Sequence, residues 1–213
     1  MSRRLRFPTV PIPTAFEPFD TAVDDWFEHR LRHRRGIDLV MYGASAVGDH
    51  GIVWLALAGM QARRRRGTGR EWSRPFLRVA LGLAAESVVV NGPVKFMFRR
   101  TRPVHDRPRP MHLRQPRTSS FPSGHATAAF FGAALLRDED PLWPLYYALA
   151  VIVAASRVHV RIHHASDVIG GVLTGVALGE LARHMMPVTP GDLSRSAPAS
   201  PEAAAPASVP ATE

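Results

Sequence analysis

Cysteine is absent from the 213 residues, which removes disulfides, thiolate nucleophiles and cysteine metal ligands from consideration. Acidic residues are few beside basic ones, 18 against 27, and the formal charge is +9. The tail from Pro187 holds Asp192, Glu202 and Glu213 against Arg195 alone, so the basic excess lies in the body of the chain. Such an excess suits nucleic acid, anionic lipid headgroups or a phosphorylated ligand. No stretch alternates with a strand's period of two and no internal repeat is visible, which leaves an all-α chain. The basic start "MSRRLRFPTVPIP" meets prolines where a signal peptide would be apolar, so no signal peptide is expected.

What is abundant is apolar: 46% of the residues. Residues 1–14 are basic and proline-rich and read as irregular. Residues 15–35 read as an amphipathic helix, with Phe16, Phe19, Val23, Trp26, Phe27 and Leu31 opposite acids and arginines. A helix lying in a membrane interface and a surface helix packed on its own domain both fit that pattern. Five apolar segments follow, at 37–60, about 75–98, 123–136, 142–156 and from about 166, separated by charged loops and flanked by arginine. The expected architecture is a membrane-embedded helical bundle of about five spanning helices, preceded by an interfacial amphipathic helix. Its organisation is a basic, amphipathic segment over 1–36, a helical domain over 37–186 and a disordered Pro/Ala/Ser tail over 187–213.

Polar groups in membrane segments are costly, and here they gather at segment ends. Lys95 and Arg102 lie at and beyond the end of the second segment. Ser123, Gly124 and His125 open the third, Arg157 closes the fourth, and His163 and Asp167 flank the start of the fifth. Five antiparallel helices would bring all these ends to one side. The residue types suit phosphoryl transfer, whose transition state needs cations and N–H donors around the equatorial oxygens. Lys95, Arg102 and Arg157 would supply charge. Ser123 would cap the third helix and, with Gly124, present its amides to an anion, while His125 stands ready to protonate a leaving oxygen. His163 and Asp167 share a helical face if the intervening stretch is helical. A carboxylate on one imidazole nitrogen would fix the tautomer and free the other nitrogen to attack phosphorus.

Each residue alone has a plainer reading: a snorkelling lysine, flanking arginines, a polar helix start. His159 and His163, four apart, invite a zinc reading, but no third ligand stands at a convincing spacing. Arg63 to Arg66 read as a cytosolic topology signal, and no nucleic-acid partner is expected. Asp49 and His50 read as a buried polar pair between helices, Glu86 and Asn91 as interhelical hydrogen-bonding groups. Arg107, Arg109, Arg114 and Arg117 fit either a second anionic group or a solvated loop. The face "GGVLTGVALG" suits a dimer contact or packing within the bundle, and the sequence carries no signal for oligomeric state.

Taken together, K-x6-R-P at Lys95 to Pro103, P-S-G-H at Pro122 to His125 and S-R-x5-H-x3-D at Ser156 to Asp167 resemble the signature motifs of the type 2 phosphatidic acid phosphatase and haloperoxidase superfamily. They match in identity, spacing and order across residues 95–167. The resemblance implies that His163 is the nucleophile of a phosphohistidine intermediate, Asp167 its orienting partner and His125 the general acid. Lys95, Arg102, Ser123, Gly124 and Arg157 would bind the phosphoryl oxygens. It also implies metal-independent hydrolysis, without a cofactor, of a lipid phosphate monoester or diphosphate of the phosphatidic acid, phosphatidylglycerol phosphate or polyprenyl phosphate type. Two rivals stand beside this reading. One is a soluble acid phosphatase or vanadate-dependent haloperoxidase using the same pocket. The other is a non-catalytic basic protein that binds membrane lipids. For a multi-pass protein of the cell membrane, Arg63 to Arg66 pull the far end of the bundle to the cytosol and place the site on the extracytoplasmic face, against the pull of the arginines between positions 3 and 35.

Overall fold

The computed structural model describes residues 12–67, 72–104, 113, 118–138 and 140–188, without the side chain of His50. Residues 1–11, the four arginines at 107–117 and the tail from 189 lie outside the described residues. Among those described there are seven helices and no strand. They are α1 (Glu17–Arg30), α2 (Arg35–Val47), α3 (Ile52–Gly67), α4 (Ser73–Val89), α5 (Gly124–Leu136), α6 (Trp143–His159) and α7 (Ala165–Met185). A π turn over Val90–Val94, bent at Gly92 and Pro93, carries α4 on to Lys95–Met97.

α5 is the central post. Its residues from Ala129 to Leu136 are buried, apart from the partly covered Phe130, and it packs on α3, α4, α6 and α7. The contact with α7 is close because α7 presents glycine every fourth residue, at 171, 175 and 179. A Cβ on Gly171 would lie 2.5 Å from the Ser123 carbonyl oxygen, and one on Gly175 2.4 Å from that of Thr127. The glycine-rich face therefore serves packing within the bundle. It brings the two helices together in parallel, with the Ser123 amide donating to the Asp167 carbonyl at 3.0 Å.

The single helix expected over 37–60 is in fact two. α2 ends at Gly48, a tight turn covers Asp49–Gly51, and Gly51 takes φ +71°, a conformation that disfavours side chains. The first half lies along the end of α6. The second runs beside α5, where Trp54 covers Gly132. Asp49, half-exposed, stands in the turn between two glycines that separates the halves.

α4 with its continuation (Ser73–Met97) and α7 are long and apolar enough to cross a membrane. Their large side chains point outward, with Val88 71% and Leu173 65% exposed, as lipid contact allows and a soluble core helix does not. α2, α3 and α6 also show apolar residues outward, among them Leu39, Ile52 and Leu145, but they are shorter. At the end remote from Ser123, Asp138 pairs with Arg78 at 2.8 Å and Arg183 at 2.7 Å, and Asp140 with Arg64 at 2.9 Å.

α1 is packed on its own domain. Asp20, Asp24 and Glu28, spaced by one helical turn, face the bundle, and Asp24 meets Arg32 at 2.5 Å and Arg161 at 2.8 Å. Burial alone would raise the Asp24 carboxyl, but hydrogen bonds from Arg161 and Arg32 outweigh it and hold it below its usual range. Phe16, Phe19 and Trp26 point away from the bundle.

Candidate active site

The residues singled out in the sequence meet at the end of the bundle where α5 and α7 begin and α6 finishes. His163 lies in the turn between α6 and α7 and is 3% exposed. Its Nε2 is 3.2 Å from Nη1 of Arg102, whose guanidinium is fixed by the carbonyl oxygens of Ile162 at 2.9 Å and Ser119 at 3.1 Å. Its Nδ1 faces Asp167 Oδ2 at 3.7 Å. That is longer than a hydrogen bond, as resting catalytic contacts often are. Burial, then the positive charges of Arg102 and Arg157, push this imidazole down to about 3 against the pull of Asp167. The ring is therefore neutral at physiological pH, the form in which a nitrogen lone pair can attack.

Asp167 is fully buried at the third position of α7. Its Oδ2 accepts from the Ser120 hydroxyl at 2.5 Å and the His164 amide at 2.8 Å, and its Oδ1 from Arg100 Nη1 at 2.6 Å. Three donors hold the carboxylate, so its orientation toward His163 is set from three sides.

The cations come from separate elements. Lys95, buried beyond the π turn, lies in the field of Arg102 and Arg157. A Cβ on Gly124 would stand 3.4 Å from its ammonium nitrogen and 3.2 Å from Asn91 Oδ1, so glycine keeps clear the space between Lys95 and the first turn of α5. Arg157, on the last turn of α6, is buried and donates to the Ser45 hydroxyl on α2. Ser123 caps α5, its Oγ accepting weakly from the Ala126 amide at 3.5 Å. The helix thereby aims its N-terminal amides at the same region.

His125 sits in the first turn of α5. Its Nε2 is 3.5 Å from Asp49 Oδ1, and the backbone at Gly48 closes on its ring. Asp49 is therefore not a buried structural residue: the break between α2 and α3 carries its carboxylate, half-exposed, to the histidine. Glu86 is buried within the bundle and feels Lys95, while Asn91 is exposed and bonds Ser87 within its own helix. His159 faces Asp38 on α2 at 2.8 Å, so the two histidines of the zinc reading have different partners.

Sequence reasoning passed over Arg100, Ser120, Asp20 and Ser45, and gave Asp49 a structural role only. Arg100 and Ser120 adjoin the recognised motifs and were legible as neighbours of them. The other three precede the motifs by at least 46 residues and reach the site only through the fold. A cavity of about 1110 Å³ opens beside Lys95, Arg102 and Ser119, walled by Pro93, Phe96, Met97 and Phe98.

The bundle end gathers two histidines, a buried carboxylate, a lysine and two arginines, residue types that phosphoryl chemistry uses. Comparison with known proteins agrees: residues 75–189, more than half the chain, match the model of the PAP2 superfamily. The decaprenylphosphoryl-5-phosphoribose phosphatase of Mycobacterium tuberculosis is 34% identical over 151 residues, covering 71% of this chain and 81% of that protein. A putative undecaprenyl-diphosphatase of Escherichia coli is 32% identical over 47% of this chain and 51% of its own. The crystal structure of a transmembrane PAP2 type phosphatidylglycerolphosphate phosphatase from Bacillus subtilis shares the fold, with TM-score 0.62 and 24% identity, over 81% of this chain and 87% of that one. The chain belongs to the PAP2 superfamily and is a phosphatase, a hydrolase of phosphoric esters.

Proposed function

We propose that this protein is an integral membrane phosphatase that hydrolyses a lipid phosphate through a phosphohistidine. Nε2 of His163 attacks phosphorus as the bond to the lipid oxygen breaks, and His125 gives its proton to that oxygen. Water, deprotonated by His125, then attacks the phosphorus, releasing inorganic phosphate and free His163. Lys95, Arg102, Arg157, the Ser123 hydroxyl and the Gly124 amide hold the equatorial oxygens throughout. Asp167 keeps the His163 proton on Nδ1. The observation that carries this reading is the placing of one buried imidazole between a firmly held carboxylate and a guanidinium.

No step uses a metal. The substrate class is a phosphatidic acid, phosphatidylglycerol phosphate or polyprenyl phosphate or diphosphate. The polyprenyl-linked compounds named for the bacterial relatives and the cavity's apolar wall support a long-chain member of that class. The test is phosphate release across these lipids in detergent, with and without EDTA. His163→Ala is expected to lose at least about 10³-fold in kcat. Retention of most activity in that variant, or its loss in EDTA, refutes the mechanism.

The chain is multi-pass in this reading, and its catalytic end faces outward, because Arg64, Arg65 and Arg78 cluster with Asp138 and Asp140 at the other end. With no native cysteine, a Thr101→Cys variant should react with an impermeant maleimide added outside intact cells. Labelling only after lysis refutes that orientation.

A further inference from the structure

We propose that Asp20, on α1 and outside the segment the family model matches, is a positioning residue of the active site. It acts through Arg100 and Ser166 on Asp167, and so on His163. The inference rests on the phosphohistidine reading above.

The chain of contacts is short and buried. Arg100 spans the gap between two carboxylates: Nη2 donates to Asp20 Oδ2 at 2.5 Å, and Nη1 to Asp167 Oδ1 at 2.6 Å. The Ser166 hydroxyl ties the three together, accepting from Arg100 Nη1 at 2.7 Å and donating to Asp20 Oδ2 at 2.7 Å. Asp20 Oδ1 accepts the Ser166 backbone amide at 2.7 Å. That amide belongs to the first turn of α7, one of the donors no helix can satisfy within itself. A residue of α1 thus caps the turn on which Asp167 stands, 146 residues further along the chain. Asp20 and Asp167 are 6% and 0% exposed, and the Arg100 side chain 11%, so the network is largely shielded from solvent.

Charge explains why Asp20 is needed. Arg100 with Asp167 alone would swing its fork to chelate the one carboxylate with both arms, rotating it away from His163. A second carboxylate on Nη2 holds the guanidinium so that only Nη1 reaches Asp167. The remaining Asp167 oxygen then stays with Ser120, His164 and the His163 ring. Asp24, one turn further along the same helix face, pairs instead with Arg32 and Arg161. It supplies the control for docking of α1 as such.

The experiment is steady-state kinetics of the full-length protein in detergent, with dioctanoyl phosphatidic acid as probe. Asp20→Asn is expected to lower kcat about 10-fold or more with KM within about twofold, because it disorders the nucleophile and leaves phosphate contacts in place. In an Arg100→Gln background the same substitution should cost clearly less than it does alone, since the route through Arg100 is already cut and only the Ser166 contacts remain. Asp24→Asn should lower the melting temperature and leave kcat within about twofold. Unchanged kcat in Asp20→Asn, losses that multiply with those of Arg100→Gln, or an equal kcat loss in Asp24→Asn would each overturn the proposal. If Asp20→Asn does not fold, Ser166→Ala is read instead: a severalfold loss of kcat is expected, and no loss overturns it. His163→Ala in the same assay separates the two readings. Activity retained there ends the phosphohistidine mechanism, whereas its abolition beside an unaffected Asp20→Asn ends only the role of Asp20.

Discussion

Replacing Gly171 by alanine tests whether the α5–α7 contact sets the geometry of the active site. The added Cβ would stand 2.5 Å from the Ser123 carbonyl oxygen and 3.0 Å from the Ala126 Cβ, where ordinary contact begins near 3.4 Å. Neither neighbour is a flexible side-chain end, so the helices must part by about 0.9 Å at this level. Overpacking of that kind costs about 1–3 kcal/mol. The same displacement stretches the Ser123 amide to Asp167 carbonyl bond, 3.0 Å in the native protein, and with it the distance between the capped start of α5 and the turn bearing Asp167. A shift approaching 1 Å between reacting groups costs on the order of 10²-fold in rate. Thermal unfolding in detergent should show the stability loss, and phosphate release from dioctanoyl phosphatidic acid the loss in kcat. Gly43→Ala supplies the comparison. Nothing lies within 4 Å of a Cβ there, so the better helix former should leave turnover intact and stabilise by about 0.5–1 kcal/mol. Native stability and native kcat in Gly171→Ala would refute the argument that glycine spacing registers the site.

Further expectations follow from His163 and Asp49. The folded protein holds the His163 imidazole near 3, while an unfolded chain titrates near the ordinary histidine value of about 6.5. Between those limits the unfolded state binds a proton that the native state does not, so His163 lowers stability progressively as pH falls below about 6.5. Denaturant titrations of wild type and His163→Asn across pH 4–7 should show a shallower acid decline in the variant, and parallel curves would refute the assignment. Asp49→Asn removes the carboxylate opposite His125 Nε2. It should slow release of a poorly leaving lipid alkoxide about 10-fold and spare p-nitrophenyl phosphate, whose leaving group needs no proton. Equal effects on both substrates would show that Asp49 does not assist proton transfer.

Much of this protein was legible one residue at a time. The all-α class followed from the missing strand period, and the helices expected at 123–136, 142–156 and from 166 lie within a few residues of α5, α6 and α7. Apolar runs, helix caps and prolines act locally, so their outcome can be read from neighbours along the chain. The motif residues were identifiable because they gather at the ends of apolar segments and match a known family in identity and spacing. His163, however, lies in a turn and not on the helical face shared with Asp167 that a helix there would have given. Tertiary structure alone decided the break of the first segment at Gly48–Gly51, the approach of Asp49 to His125, and the joining of Asp20 to Asp167 through Arg100. Each of these depends on a distance between residues far apart in sequence. Such distances are set by how close glycine lets α5 and α7 come and by which buried charges must find partners, and neither quantity is written in any single stretch of the chain.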